Sequence, residues 1–146
     1  TWTSQIIPFL SSPEHLVQIG IRASGKERSY WEKKFGHKQF WAKDIFDRGA
    51  NAVADDVVTH LKKLDVEEIY ISFDIDCLDA TYAGATGTPE SDGLSPHEPM
   101  VIMQTLFENF KITGSDIVEI APMVKAPNIK QIEPETTLCG REAYIL

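Results

Sequence analysis

The chain has 146 residues, 42% hydrophobic and 25% charged, which is ordinary for one globular domain that buries roughly 68–70% of its unfolded surface. A net charge of −8 argues against a phosphate backbone as partner, so no nucleic acid is expected, and it suits cationic ligands and divalent metals. No apolar run of about 18 residues offers a membrane span, Thr1 to Leu16 lacks a signal-peptide pattern, and two cysteines, Cys77 and Cys139, form no disulfide framework; the reading is a cytoplasmic protein with reduced thiols.

In chain order, Val17 to Ile21 predicts a buried strand. Ser24 offers a cap for a helix over Lys26 to Lys34, with Gly36 just past its end, and Lys38 to Trp41 predicts a weak second strand. Val53, Val57, Leu61 and Leu64 fall on one face of an amphipathic helix over Ala52 to Leu64. Ile69 to Phe73, rich in β-branched and aromatic residues, predicts a strand, followed by a polar, Gly-rich connection from Asp74 to Leu94. Ser95-Pro96-His97-Glu98 matches a capping box, opening a helix with Met100, Met103, Phe107 and Phe110 on its core face. Ile117 to Ile120 predicts another strand, stopped by Pro122, and a last helix is expected from near Pro134.

Strands separated by helices imply βαβ crossovers and a mostly parallel sheet covered on both faces. Ligands of such sheets bind at the carboxyl ends of strands, which points to the residues after Phe73 and around Glu119. Near-continuous apolar strands expect neighbours on both sides, so four strands read as an incomplete sheet.

Asp74 and Asp76 stand two apart at a strand end, where an extended backbone sends both side chains to one face. Carboxylates that close repel unless a proton or cation lies between them, and a hard divalent metal resolves the conflict. The pair alone also fits a loop that simply starts with acidic residues. A phosphotransferase of the D-x-D-x-T type is disfavoured, because Leu78 stands where threonine would.

Longer segments carry more. Ser72-Phe73-Asp74-Ile75-Asp76-Cys77-Leu78-Asp79, followed by Ala83-Gly84-Ala85-Thr86-Gly87-Thr88-Pro89-Glu90-Ser91-Asp92-Gly93-Leu94, resembles the ureohydrolase signature S-x-D-x-D-x-x-D-P with its later T-G-T-P-x-x-G-G-L loop. Val17 to Arg22 resembles the same superfamily's G-x-R strand, Val118-Glu119-Ile120-Ala121-Pro122 its E-V-x-P segment, and Pro134 to Thr137 suits its final helix. The resemblance is to the agmatinase and arginase superfamily, C-terminal portion, in family order over nearly the whole chain. It implies a three-layer α/β/α sandwich around a mostly parallel sheet, here incomplete, and assembly into trimers or hexamers.

It also implies a binuclear manganese site, Mn2+ bridged by Asp74 with Asp76 on one ion, and contacts from Thr88 and Glu119 to the guanidinium end of a small guanidino substrate. The implied reaction is hydrolysis of a guanidino carbon–nitrogen bond with release of urea, on an agmatinase-like substrate. The family's G-G-D-H and D-A-H-x-D segments, which supply the other ligands, do not occur here, so an inactive subunit with a structural or regulatory role is the alternative. Ala80 and Gly84 replace prolines of the pattern and loosen the loop; Asp92 replaces a glycine where a positive φ is expected; Lys125 stands where an acidic residue is usual. His15, His37, His60 and His97 read as surface or loop histidines, Tyr30 and Trp31 as packing residues, and Cys77 as a small filler beside the site.

Overall fold

The structure, a computed structural model, describes residues 2–121. Helix α1 (Trp2–Ile6) leads through two short 3-10 turns to strand β1 (Val17–Ile21). Helix α2 (Arg28–Phe35), strand β2 (Lys38–Trp41) and helices α3 (Ala42–Arg48) and α4 (Ala50–Lys63) follow. Strand β3 (Glu68–Asp74), a long loop, helix α5 (His97–Asn109) and strand β4 (Lys111–Val118) complete the described part. All pairing is parallel, β1 with β2 and β3 with β4, as the alternation of strands and helices requires.

The two pairs do not join into one sheet within the described residues. Instead β1 and β3 both line a cleft of about 1270 Å3, with Ile19, Ile21, Ile69 and Ile71 among its walls. Helices α4 and α5 pack on each other and cover one face of β3 with Val53, Val57, Leu61, Ile102 and Leu106. Burial of each such side chain stabilises by roughly 1.5–3 kcal/mol. The opposite face of β3 carries the exposed Tyr70 and Ser72, hydrogen-bonded to Asp116 of β4 at 2.7 Å each. This is an incomplete α/β fold of parallel strands and covering helices.

Several local expectations hold. Gly36 ends α2 in the left-handed region at φ 76°, donating its N–H to Glu32, and α4 buries the expected Val53, Val57 and Leu61, joined by Ala54 and Val58, while Leu64 caps the helix half-buried. Others need correction. Ser24 does not cap α2, which starts at Arg28; its hydroxyl accepts from Trp31 Nε1 at 2.8 Å and donates to the Lys26 carbonyl. In α5 the buried residues are Pro99, Ile102, Met103 and Leu106, with Phe107 46% exposed, because the helix packs on α4 over a face turned away from Phe107. Phe110 ends that helix and is buried. Strand β4 begins at Lys111, six residues earlier than expected, since Lys111-Ile112-Thr113 alternates in and out along β3. Helices α1 and α3 were not expected, and the final helix near Pro134, Pro122, Lys125 and Cys139 lie outside the described residues.

His37 is a loop histidine, as expected, but not a surface one. It is 3% exposed, with Nε2 donating to Gln18 Oε1 at 2.8 Å. Gln18 in turn donates to Thr3 Oγ1, Gln39 donates to Gln18, and Trp41 Nε1 donates to Gln39, so a polar chain ties α1 to both strands. No helix among the described residues is long and apolar enough to cross a membrane.

Candidate active site at the carboxyl ends of the parallel strands

Strand β3 stops at Asp74, and Ile75 to Cys77 turns as a 3-10 helix. Asp74 caps that turn, its Oδ1 accepting from the Asp76 N–H at 3.2 Å. The two carboxylates therefore meet through a tight turn and not, as the spacing suggests, through the two-residue period of an extended strand. Ile75, between them, is fully buried and anchors the turn in the core.

The remaining site residues come from two further segments. Thr88, in the loop, donates its hydroxyl to Asp76 Oδ2 at 2.9 Å. Glu119 follows β4 and reaches back so that a side chain on Gly87 would lie 3.4 Å from its Oε2. Its backbone is held at φ 63°, costly for a residue without Asn or Asp chemistry, and strain of that kind concentrates at functional sites. The Ala121 N–H donates to the Ala85 carbonyl at 2.8 Å, fastening this segment to the loop. Asp74, Asp76, Thr88 and Glu119, separated by up to 45 positions in sequence, thus share one end of the β3–β4 pair.

Electrostatics follow from that crowding. Burial, followed by the charges of Asp76 and Glu119, pushes the Asp74 carboxyl up to about 6, against the pull of the Asp76 amide. Cys77 is pushed up to about 12, first by burial and then by Asp74 and Asp76, which favours the thiol over the thiolate. Of the histidines, His60 Nε2 meets the Glu14 carbonyl, and His97 is exposed at the start of α5.

Two residues matter more than their sequence pattern indicated. Asp79 organises the loop: Oδ1 accepts from the Thr81 amide and hydroxyl at 2.9 and 2.7 Å, and Oδ2 from the Gly93 N–H at 3.2 Å. Arg22, at the end of β1, donates only to backbone carbonyls, those of Asp76, Cys77, Leu78, Glu90 and Ser91. An arginine directly after an apolar strand was the available signal. The substitutions in the loop also gain physical accounts. Asp92 adopts the anticipated positive φ, 58°. Ala80, expected only to loosen the loop, donates its N–H to the Glu90 carbonyl at 3.3 Å, a tether that proline lacks.

Among the described residues no group of three His, Cys, Asp or Glu side chains could hold a metal. Two carboxylates, those of Asp74 and Asp76, are hard oxygen donors of the kind that manganese or magnesium takes, and two alone fall short of a coordination shell.

The sequence profile of the Arginase family matches residues 1–137. The chain belongs to the arginase family. An agmatinase of Enterobacter sp. (strain 638) is 34% identical over 128 residues, covering 87% of this chain and 38% of the relative. Among solved structures, a hypothetical agmatinase from Burkholderia thailandensis superposes with a TM-score of 0.70 at 28% identity over 96% of this chain and 42% of its own. Arginase from Bacillus caldovelox gives 0.71 at 25% identity, over 91% and 43%. This arginase-family chain therefore spans about two fifths of the length of the relatives it matches, and its described strands and helices are part of an arginase-like α/β fold.

Proposed function

We propose that the chain carries one part of the active site of a ureohydrolase, a metal-dependent, agmatinase-like hydrolase that cleaves a guanidino carbon–nitrogen bond and releases urea. The observation that supports this reading is the convergence of Asp74, Asp76, Thr88 and Glu119 at one end of the parallel β3–β4 pair. The donor set fits a manganese pair in kind: burial first, and then the charges of Asp76 and Glu119, raise the Asp74 carboxyl, and a divalent cation between the carboxylates would relieve their repulsion. Asp74 and Asp76 would hold the metal, together with ligands from polypeptide outside the described residues. The chemistry that manganese would supply there is the activation of a water as nucleophile near neutral pH.

The chain's own residues do the rest. Thr88 holds one Asp76 oxygen by its hydrogen bond, which leaves the other free to ligate. Glu119 offers a carboxylate to the planar guanidinium through paired, charge-assisted hydrogen bonds. Agmatine is the favoured substrate, from the resemblance of the Pro89-Glu90 and Gly93-Leu94 loop to agmatinases and from the agmatinase relatives at 34% identity.

The test is intact mass and manganese content of the purified protein, followed by urea release from agmatine, arginine and guanidinobutyrate. About two manganese per complex with urea from agmatine supports the proposal; a manganese-loaded protein that releases urea from none of the three sinks it. The 146-residue chain alone releases no urea, and measurable release would refute the need for further ligands. A second reading, an inactive subunit with a structural or regulatory role, is favoured by one observation, the lack of a three-ligand cluster among the described residues. It predicts a mass matching this chain alone and no tightly held metal.

A further inference from the structure

The Arg22 guanidinium makes five contacts, all with main-chain oxygens. Nε donates to Ser91 at 3.0 Å; Nη1 to Cys77 at 3.4 Å; Nη2 to Asp76, Glu90 and Leu78 at 2.8, 3.0 and 3.2 Å. Among the described residues it forms no ion pair, although two carboxylates lie beside the same turn. Its partners fall in two stretches, 76–78 and 90–91, which are the two ends of the Gly-rich loop. The fork thus closes the loop on itself from outside, using a strand that belongs to neither end.

Closure matters because of what rides on it. The carbonyl that Nη2 holds at 2.8 Å belongs to Asp76, so the guanidinium fixes the peptide plane next to that side chain. The opposite end of the loop delivers Thr88, whose hydroxyl fixes Asp76 Oδ2 at 2.9 Å. Between these holds, Asp76 has little freedom to swing away from Asp74, although their mutual repulsion favours it. We propose that Arg22 is the positioning residue of the Asp74–Asp76 pair: by clamping 76–78 onto 90–91 it keeps the carboxylates at the separation that a bound divalent cation requires. The clamp depends on a rigid planar fork with donors spread over three nitrogens. A lysine ammonium carries the same charge but is a compact point on a flexible stem, so it cannot bridge both stretches. Exchange of one for the other therefore separates geometry from charge. The metal side of this inference rests on the ureohydrolase reading.

The experiment compares the full protein with its Arg22→Lys and Arg22→Gln forms. Manganese affinity is measured from the six-line electron paramagnetic resonance signal of free Mn2+, and loop closure from hydrogen exchange of the Asp79 and Leu94 amides. Circular dichroism and thermal unfolding report the overall fold. Arg22→Lys is expected to weaken manganese binding by about 10-fold to 100-fold, as loss of an outer support does. It should speed exchange at Asp79 and Leu94 while leaving helix content unchanged. Unchanged affinity in Arg22→Lys overturns the proposal, and so does lost affinity without faster exchange. Global unfolding of Arg22→Lys also overturns it, since the residue then supports the whole domain and not the loop. If the unsubstituted protein takes up no manganese, the ureohydrolase reading fails by itself, and exchange alone decides whether Arg22 closes the loop.

Discussion

A single methyl group at Gly93 tests how tightly the site loop is built. A Cβ at that position would lie 2.3 Å from the Asp79 nitrogen, 2.5 Å from the Leu78 carbonyl carbon and 2.6 Å from the Asp79 Cα. All three are backbone atoms, so no side-chain rotation relieves the overlap. The two chain segments must separate, and overpacking of this kind costs about 1–3 kcal/mol. Separation also strains the pair of bonds that join them, Asp79 N–H to the Leu94 carbonyl at 2.9 Å and Leu94 N–H to the Cys77 carbonyl at 3.0 Å. Each contributes about 1 kcal/mol. Gly93→Ala is therefore expected to destabilise by about 3–5 kcal/mol, a large share of the roughly 5–15 kcal/mol of an ordinary domain. Urea unfolding followed by tryptophan fluorescence measures this, with Gly25→Ala as control, because nothing lies within 4 Å of a Cβ there. The control should stay within about 0.5 kcal/mol of the parent. A Gly93→Ala protein equally close to the parent would refute the steric reasoning and the loop geometry behind it.

Three further outcomes follow from the same physics. His37 is held below its ordinary pKa of 6.5 by burial, against an opposing pull from Glu32, so the unfolded chain takes up its proton first as pH falls. Stability at this group is full above pH 6.5, declines between 6.5 and the lower folded value, and levels off below; His37→Gln should flatten that part of a urea-unfolding pH series, and an unchanged slope would count against it. Asp44 shows the opposite sign: burial raises it, yet the Arg28 ion pair at 2.6 Å and the Trp41 N–H outweigh this and hold it below 3.8. Its stabilisation is present above pH 3.8 and lost as pH falls through the folded value, so Asp44→Asn should lessen acid destabilisation in the same measurement. Glu119→Asn, at φ 63°, should keep or raise the melting temperature, because asparagine accepts the left-handed region, and should abolish urea release by the manganese-loaded complex in which the remaining ligands are present; lower stability with retained activity would contradict both assignments.

Much of the fold is legible in the sequence, and the exceptions share causes. Val53, Val57 and Leu61 announced their helix because an amphipathic period records a single partner surface. Asp92 announced its positive φ because few residues tolerate one. Phe107 misled for the same reason that the α4 stripe succeeded: hydrophobicity marks a face to be covered, and the described residues cover only part of it. His37 could not be read as buried, since its partners Gln18 and Gln39 are polar residues that ordinarily face water. The turn at Asp74 hid behind strand periodicity, because the side-chain cap that ends β3 uses one of the carboxylates whose spacing suggested continuation. The roles of Arg22 and Asp79 required tertiary structure, as their partners are mostly backbone atoms and leave no complementary side chain in the sequence.

The split between β1–β2 and β3–β4 has a consequence for handling the chain. Among the described residues β1 and β3 each pair with one neighbour only, and both line the common cleft with isoleucine, where an extended peptide of matching length could add. Such an edge does not discriminate between a proper neighbour and another copy. Expressed at high concentration without a covering strand, the chain should form fibril-like or amorphous assemblies whose onset depends on dilution. Yield and solubility would then rise with co-expression of the right polypeptide more than with any adjustment of salt or temperature.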